Sequence, residues 1–522
     1  MGFLYTQEGS LMKEGRPILL RGFGLGGWFL PEGYMWNFYT KCDRPRRMEA
    51  FIEELCGTTY AQAFWEKYLD AYITEKDIKR IRREGFNSVR LPLNARHLFW
   101  ERDGETGLNE KILERIDRLI GWCRQEEIYV ILDLHGAPGG QTGTNIDDSK
   151  NDRPELFENT EYERQLVWLW ESLAHRYAGE ETVAGYDLLN EPVVNWFRRY
   201  NERVLPLYRR LIQAVRRQDA KHLIILEGVH WATDFSIFQD MTKEEAGDGI
   251  VLQFHHYWNN PDIESLSAYT ETARRLGTPL LMGEGGENNC AWYTCFFPML
   301  EREKINWSFW SYKKMDCSNS PVSFPVPEGW DTIIHCLDGG EKPKEDTARQ
   351  IFDAFLECIR CDYENQEVWN SLNRKAPVMI PAEAFDGCFG RGREEGDAVF
   401  RTREPVCIRF KQGAGGRKPD YKRYGGEPQP EEENLAVKLK EGEWLEYMFR
   451  TDTERGILEI EAGGPGELEL QTEGNNHKMQ WEKEEKQKIV WRMDMVGEKR
   501  LRIQCIQGTV MIDTLRFSCF LP

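Results

Sequence analysis

The sequence lacks a continuous apolar segment of the roughly 20 residues that a membrane-spanning helix requires. Its start, Met-Gly-Phe-Leu-Tyr-Thr-Gln-Glu, also lacks the basic residues and apolar core of a secretory signal. The 13 cysteines are an odd number, and they are scattered without the spacing of a disulfide framework or a zinc site. From these absences we expect no membrane span and a location in the reducing cytoplasm.

Positive charge is scarce in relation to negative charge. Lysine and arginine number 68 against 87 aspartates and glutamates, which gives a formal net charge of −19. The phosphates of nucleic acids and anionic membranes would repel such a surface, so nucleic acid is not expected as a partner. An uncharged ligand is compatible with this balance.

The chain is too long for one ordinary domain. Its 522 residues exceed the size at which a single hydrophobic core normally stops growing. Long amphipathic patterns dominate up to about residue 375, whereas short strand-like runs and Gly- or Pro-rich turns follow. We predict one domain over residues 1–375 and a second over residues 376–522.

The first region alternates short apolar runs with amphipathic stretches. Near-continuous apolar strands separated by helices are typical of a parallel sheet covered by helices. Residues 110–126 and 162–177, for example, carry apolar side chains at the three- and four-residue intervals of a helix. The eight predicted strands are residues 18–24, 88–93, 129–135, 183–190, 223–227, 250–257, 279–284 and 305–312.

Most of these strands end in polar or aromatic side chains. The functional groups of a (β/α)8 barrel converge at the C-terminal ends of its strands. An open doubly wound sheet is the alternative, but the Gly-rich phosphate-binding turn expected of it is missing. We therefore predict an α/β fold, a (β/α)8 TIM barrel. The strand-end residues are Arg90, His135, Asn190, Glu191, Glu227, His255, Tyr257, Glu284 and Trp310.

The second region has the pattern of a β-sandwich. Eight short runs with strand character, from residues 407–410 to residues 501–506 and 510–517, alternate with charged, Gly- or Pro-rich turns. Many short strands at such spacing are typical of two packed antiparallel sheets. Residues 413–434 are polar and rich in glycine and proline, which predicts a long loop.

Glu191 and Glu284 end the fourth and seventh predicted strands. Hydrolysis of a glycoside with retention needs two carboxyl groups about 5 to 5.5 Å apart, on opposite sides of the anomeric carbon. One attacks and forms a glycosyl-enzyme, while the other protonates the leaving oxygen and then activates water. A barrel can bring two such residues together despite their distance in the sequence.

Six segments, in order and each at a strand end, resemble the motifs of glycoside hydrolase family 5, whose members are retaining two-glutamate barrels. The resemblance covers roughly residues 10 to 370 and implies that Glu191 is the general acid/base and Glu284 the nucleophile. It makes a retaining β-glycosidase the expected activity. The segments are residues 85–92, 132–139, 183–192, 255–257, 279–286 and 307–313.

The matched positions also imply a substrate-binding set. Arg90 is permanently charged and can hold Glu284 ionised, while Tyr257 can donate to the same carboxylate. Asn190 can bond the sugar 2-hydroxyl as the transition state develops. The remaining members, which would contact hydroxyls, support the glutamates or stack on the sugar ring, are His135, His255 and Trp310.

Two segments are similar to the exo-acting branch of the family, the exo-β-1,3-glucanases and rutinosidases. They are residues 25–32 and 134–143, and the resemblance implies that Glu32 binds the far hydroxyls of the terminal sugar. The chain reads Pro-Glu-Gly around Glu32 where that branch has Leu-Glu-Pro. We expect an exo-acting enzyme on small or conjugated glycosides, with an apolar aglycone site for which Trp36, Trp100, Trp292 and Trp330 are candidates.

Two other functions stay open. An endo-β-glucanase or mannanase would need an open cleft, and a non-catalytic sugar-binding protein would be expected to have lost a catalytic carboxylate. The expected partner is a carbohydrate or glycoconjugate substrate. We expect no cofactor and no metal, because the chemistry needs neither and no ligand cluster has regular spacing.

The second region resembles family 6-like carbohydrate-binding modules, diffusely over residues 376–522. In such modules the positions of Glu383 and Asp513 lie near a structural calcium ion. The resemblance implies either a sugar-binding role or a structural lid on the barrel, and both remain open.

Overall fold

The computed structural model describes residues 1–39, 41–413, 415–453, 455–472, 475–483, 485–492 and 497–519. Contacts divide the chain into two compact units. The first unit consists of residues 1–256, 268–285 and 304–364, and the second of residues 257–267, 286–303 and 365–522. Two segments that interrupt the barrel sequence therefore group with the C-terminal region, while the predicted boundary after residue 375 stays a prediction.

The first unit contains the predicted (β/α)8 barrel, which is confirmed. Eight strands close on themselves in chain order, so that the eighth pairs with the first. All eight strands are short, and seven of them are buried at every residue. They are β1 (Arg21–Gly24), β2 (Ser88–Asn94), β3 (Tyr129–Gly136), β4 (Val183–Asp187), β5 (Leu223–Glu227), β6 (Ile250–His255), β7 (Leu280–Gly286) and β8 (Asn306–Trp310).

Helices lie between the barrel strands, as the amphipathic patterns predict. Thr160–Tyr177 and Asn201–Gln218 each bury one apolar stripe and pack against each other. The other helices of seven or more residues in this unit's sequence are Pro45–Cys56, Thr58–Ala71, Glu75–Arg83, Glu110–Gln125, Ser267–Leu276, Trp330–Leu337 and Glu345–Arg360.

The N-terminal end of the barrel is filled by aliphatic side chains. Leu11 lies in the segment before the barrel and Leu20 directly precedes its first strand. Both share one buried cluster with Ile131, Ile225 and Val251. The antiparallel strands Tyr5–Gln7 and Ser10–Lys13 bring Leu11 there. Because this end is occupied by an apolar core, the polar groups gather at the opposite end.

The strand register decides which polar residues become neighbours at that end. Glu227 of β5 pairs with Gln253 of β6. His255 of β6 pairs with Glu284 of β7, after an irregularity between Phe254 and His255. The additional residue, Gly283, lies in β7. Without it, His255 would pair with residue 283, and the side chains of His255 and Glu284 would face opposite sides of the sheet.

Three of the four tryptophans predicted to build an aglycone site are core residues. Trp36 is 0 %, Trp292 1 % and Trp330 2 % exposed. Trp36 and Trp330 pack on the ring of Phe355, with ring centroids 4.4 and 5.1 Å away. The aglycone role is wrong for them, because Trp292 and Trp330 lie in helices and Trp36 lies in a short 3-10 helix, where each ring fills the core. Trp100 is 38 % exposed.

The second unit contains the predicted antiparallel strands. They alternate buried and accessible residues, as in Trp444–Thr451, which is the pattern of sheets packed on one face. Two predicted strands, residues 501–506 and 510–517, are parts of one long strand, Gly497–Cys519, which pairs in its first half with Trp444–Thr451 and in its second with Leu435–Lys440. The remaining strands are Val378–Pro381, Gly387–Phe389, Cys407–Phe410, Arg455–Gly463, Gly466–Thr472, Asn475–Trp481 and Glu485–Arg492.

Two helices group with this unit, Cys290–Arg302 and Gln366–Asn373. Residues 413 and 415–434 of the predicted loop form a loop apart from one short turn of 3-10 helix, Glu431–Glu433, and residue 414 lies outside the described residues. The loop is tied down, because Asn288 and Asn289 donate their side-chain amides to the carbonyl oxygens of Tyr421 and Glu427 at 2.8 and 3.1 Å. Among all the helices of the described ranges, none combines the length and hydropathy needed to cross a membrane.

Candidate active site

Arg90 of β2 organises the polar end of the barrel. Its side chain is completely buried, and its guanidinium contacts side chains delivered by four other strands. Because guanidinium stays charged at any relevant pH, it fixes the positions of the acidic groups around it. Its partners are Glu284 at 2.6 Å, Asp187 and Asn190 at 2.8 Å, Glu227 at 2.9 Å and Asp133 at 3.2 Å.

The structure brings Glu191 and Glu284 together. One carboxylate oxygen of Glu191, one of Glu284 and one ring nitrogen of His255 all lie within 4.8 Å of one another. His255 Nδ1 is 2.6 Å from Glu191 Oε1 and 3.5 Å from Glu284 Oε2. One imidazole therefore faces both carboxylates, and both are almost completely buried.

The backbone at Glu191 adopts a conformation that is uncommon for this residue type. Its φ is 44°, in the left-handed region that favours glycine. The strained turn is held from two sides, because the Glu191 amide donates to Glu227 Oε2 at 2.7 Å and the Asn190 carbonyl accepts from Gln141 Nε2 at 2.9 Å. Backbone strain of this kind is concentrated at functional sites.

His135, Asn190 and Trp310 form one side of this site. The rings of His135 and Trp310 are stacked, with centroids 5.3 Å apart and planes inclined by 5°. Asn190 Nδ2 lies 3.3 Å from His135 Nε2, and Trp310 donates its indole N–H to the hydroxyl of Tyr34 at 3.0 Å. Asp133 lies 2.8 Å from His135 Nδ1, which fixes the orientation of the ring.

The charges of this cluster cannot all be present at once. Five buried carboxyl groups face one guanidinium and one imidazole. Burial raises the pKa of Asp133 well above its usual range, and burial together with Glu227 raises the pKa of Asp187 to about 7. Both shifts favour the protonated forms of these aspartates, which reduces the repulsion on the other carboxylates.

The two histidines differ in charge. Burial lowers the pKa of His135 to about 4, so this ring is neutral. Burial alone would also lower the pKa of His255, but Glu284, Glu227 and Glu191 together raise it well above its usual value. The imidazole between the two glutamates is consequently a cation, and the one beside Trp310 is not.

Glu32 and Tyr257 complete the set of residues predicted to bind the substrate. Glu32 is 3 % exposed, and Asn145 donates to its Oε2 at 3.4 Å. Tyr257 groups with the second unit, where its carbonyl accepts from Asn288 and its ring lies 5.4 Å from that of Trp258. The roles predicted for Glu32 and Tyr257 stay predictions.

Two clusters of three side chains have the spacing of metal ligands. One consists of Glu191, Glu284 and His255, and the other of Asp133, Asp187 and Glu227. In the second cluster Arg90 contacts each of the three carboxylates at 3.2 Å or less, so the guanidinium already supplies the cation. In the second unit, Lys411 contacts Asp513 at 2.7 Å, so this carboxylate likewise has its cation and fits a calcium site with Glu383 poorly. The expected independence from metals and cofactors stays a prediction.

Sequence reasoning missed a set of acidic and amide side chains under the two glutamates. Asp133 lies two residues before His135 and so points to the same side of β3, a period-of-two signal that was available. Gln253 was hidden in an apolar run, although its amide contacts Asp187 at 2.9 Å. The missed residues are Asp133, Gln141, Asp187 and Gln253, whereas Glu227 was predicted as a polar strand end without a role.

Comparison with known families gives one match over about half of the chain. The model of Cellulase, glycosyl hydrolase family 5, matches residues 50–316. This range includes β2 to β8 and therefore both glutamates.

Three curated relatives illustrate the similarity. The chain is 31 % identical over 268 residues to a beta-xylosidase of Phanerodontia chrysosporium, a match that covers 50 % of this chain and 54 % of that protein. It is 27 % identical over 293 residues to a probable glucan 1,3-beta-glucosidase A of Emericella nidulans, covering 52 % and 69 %. It is 28 % identical over 319 residues to endoglucanase C of Acetivibrio thermocellus, covering 49 % and 88 %. The chain thus spans about half the length of the first of these relatives.

Proposed function

The chain belongs to glycosyl hydrolase family 5, and on this premise we propose that it hydrolyses β-glycosides with retention, using Glu284 as nucleophile and Glu191 as general acid/base. The observation that carries the proposal is the approach of the two carboxylates, whose nearest oxygens lie within 4.8 Å of each other. That spacing suits double displacement, since inverting enzymes need about 6.5 Å or more to admit a water molecule.

In the first step, Glu284 attacks the anomeric carbon while the bond to the leaving oxygen breaks. The leaving oxygen takes a proton from Glu191, so the aglycone departs as a neutral alcohol and the sugar stays bound as an ester of Glu284. Because Glu191 and His255 are in contact at 2.6 Å, this pair holds the proton that is transferred.

In the second step, a water molecule takes the place of the aglycone. Glu191 removes its proton while its oxygen attacks the anomeric carbon and releases the carboxylate of Glu284. Two inversions give a product with the original β configuration. The charged Arg90 favours both the attack and the release, because it stabilises the ionised form of Glu284 from 2.6 Å away.

The side chains on one side of the pair suit a bound sugar ring. The indole of Trp310 offers an apolar face and is kept in place by His135 and Tyr34. Arg90 occupies the amide oxygen of Asn190, which leaves the amide nitrogen as the donor for a 2-hydroxyl. Tyr257 is proposed to donate to Glu284.

We propose exo-action on small or conjugated glycosides. The burial of Glu32 supports it, because a carboxylate enclosed beside Asn145 would grip outer hydroxyls of a terminal sugar. Two relatives are named for removal of single sugars, a beta-xylosidase and a glucan 1,3-beta-glucosidase. Endo-action on a polysaccharide is the second candidate, favoured by the similarity to endoglucanase C.

A cytoplasmic location is part of the proposal. Its support is that none of the 13 cysteines, all of which lie within the described residues, forms a disulfide, including the six of the second unit. Free thiols in such number suit a reducing compartment.

The decisive experiment follows the anomeric proton of the product by NMR during hydrolysis of a panel of nitrophenyl β-glycosides. The β product is expected first, with slow conversion to the α form. If the α product appears first, the mechanism is wrong, and if no β-glycoside is cleaved, the activity itself is wrong.

A leaving-group series separates the two glutamates. Replacing Glu191 with Ala is expected to lower kcat/KM about 1000-fold on substrates with poor leaving groups and far less on dinitrophenyl glycosides, which need no proton. Azide should restore part of the activity of this variant and yield a β-glycosyl azide. Equal loss on both kinds of substrate would show that the roles are assigned wrongly.

A further inference from the structure

We propose that Trp196 and Trp231 form the binding platform for the leaving group and make the enzyme selective for aglycones with a planar aromatic ring. This inference rests on the proposed function, and it names the chemical class that the leaving-group side of the site accepts.

The two tryptophans lie in the loops that flank the acid/base. Trp196 follows Glu191 by five residues, in the short 3-10 helix Asn195–Tyr200. Trp231 follows Glu227 by four residues, and Glu227 accepts the backbone N–H of Glu191 at 2.7 Å. Because Glu191 protonates the leaving oxygen, the group attached to that oxygen must lie on the side of the site where these loops emerge.

Trp196 is unusual in its exposure, and Trp231 is partly exposed. Trp196 is 61 % exposed, whereas eight other tryptophans of the chain are almost completely buried. The rings of Trp196 and Trp231 meet edge to face, with centroids 5.4 Å apart and planes inclined by 69°. In such an arrangement one ring of the pair has an open face. An aromatic ligand can stack on this face and place its own edge against the second ring.

The backbone of both loops is strained. Val193, His230, Trp231 and Ala232 have φ values of 59°, 55°, 57° and 57°. This region is costly for residues with a Cβ, above all for a β-branched valine and a bulky tryptophan. Strain of this kind persists where the surroundings hold it and is concentrated at ligand clamps.

A hydrogen bond ties the two loops to each other and to the acid/base. The His230 amide donates to the Val193 carbonyl at 2.8 Å, two residues after Glu191. The platform and the catalytic carboxylate therefore belong to one constrained piece of structure, so that an aglycone held by the tryptophans is placed in a fixed relation to the proton it receives.

The polar side chains beside Trp231 are engaged with each other. His230 Nε2 lies 3.2 Å from Asn201 Nδ2, and His230 Nδ1 lies 3.3 Å from Asp234 Oδ2. A second sugar in this position would need donors and acceptors for its hydroxyls, and the His230 ring is already paired on both of its nitrogens. The rings of Trp196 and Trp231 offer aromatic surface instead, which favours an aryl aglycone.

The test compares two leaving groups on one sugar in the full-length enzyme. For the sugar that the wild type prefers, kcat and KM are measured with the 4-nitrophenyl β-glycoside and with the matching β-linked disaccharide. Trp196→Ala and Trp231→Ala are each expected to lower kcat/KM about fivefold to tenfold on the aryl glycoside, mainly through KM, and less than twofold on the disaccharide. Phenylalanine at either position should restore part of the loss.

Tyr5→Ala provides the matched control, since Tyr5 is an exposed aromatic residue (39 %) on the hairpin before the barrel, and this variant should behave as wild type. Equal losses on both substrates, or no loss on either, would overturn the platform. Two measurements on each variant detect a folding defect that would also lower activity. They are far-ultraviolet circular dichroism and titration of intact active sites with a mechanism-based fluoroglycoside. If the wild type cleaves no β-glycoside, the proposed function fails first, and the two failures are thus distinct.

Discussion

Two buried arginines, one in each unit, are used in opposite ways. Within the described residues, the guanidinium of Arg90 in the barrel contacts side chains, four of them carboxylates on four different strands. Arg374 in the second unit contacts mainly backbone carbonyls, those of Thr294 at 2.7 Å and Ala384 at 2.6 Å, and one carboxylate, Asp386, also at 2.6 Å. Both guanidinium groups are at least 97 % shielded from solvent.

The difference lies in what each arginine holds. The side-chain partners of Arg90 are the acidic and amide groups at the polar end of the barrel, so its charge acts on the site where the chemistry is proposed. Backbone partners let Arg374 fasten three chain segments, around residues 294, 384 and 448, into one unit. A buried arginine can thus either position charged side chains for a reaction or hold chain segments together. Side-chain partners indicate the first role, and backbone carbonyl partners indicate the second.

The largest effect is expected at the nucleophile. Glu284→Gln keeps the size of the side chain and removes its charge, so kcat/KM on nitrophenyl β-glycosides should fall about 100,000-fold. The free energy of unfolding in urea should not fall, because a buried charge has been removed from a crowded acidic cluster. A variant with more than 1 % of wild-type activity would contradict the assignment of Glu284.

Replacing Arg90 with Lys should damage both properties. One ammonium group cannot reach the partners that the guanidinium contacts in a fork, so kcat should fall about 1000-fold and the unfolding free energy by about 4 kcal/mol. Steady-state kinetics and urea titration measure the two losses. Unchanged kcat would show that Arg90 has only a structural role.

The same replacement at Arg374 is the matched comparison. Arg374→Lys should lose the bonds to the Thr294 and Ala384 carbonyls and lower the unfolding free energy by about 3 kcal/mol. The kcat per folded molecule on a nitrophenyl glycoside should stay within twofold of wild type. A large kinetic loss in fully folded enzyme would remove the distinction between the two arginines.

The smallest effect concerns Glu383, a buried carboxyl in the second unit. Burial raises its pKa to about 8, and its Oε2 has no hydrogen-bond partner within the described ranges. Between pH 4.5 and 8 the unfolded chain loses this proton while the folded chain keeps it, so stability falls as pH rises through this window. Glu383→Gln removes this loss and should stabilise the protein by about 2 kcal/mol at pH 8.

Urea titrations of both forms at pH 5 and pH 8 measure the difference, which should nearly vanish at pH 5. Activity on small glycosides should not change at either pH. A variant that is less stable than wild type at pH 8 would show that the carboxyl is ionised and paired in the folded state.

The sequence predicted the fold and the catalytic centre more completely than the surroundings of the centre. Apolar runs marked all eight barrel strands, and polar or aromatic residues marked the ends of seven of them, since a strand covered by helices on one side and a core on the other must be apolar until it reaches solvent. Alternation in Trp444–Thr451 marked the sheets of the second unit for a similar reason. Trp36, Trp292 and Trp330 were misplaced because ring burial depends on which loops fold over them.

Local sequence therefore determined which residues form strands and which strand ends carry acids, because both follow from periodicity within a few residues. The tertiary structure alone decided that Asp133, Asp187 and Glu227 surround one arginine, and that residues 257–267 and 286–303 group with the C-terminal region. It also decided that Trp196 stays exposed and meets Trp231. These outcomes depend on register, closure and packing between segments far apart in the chain, and no short stretch of residues encodes them.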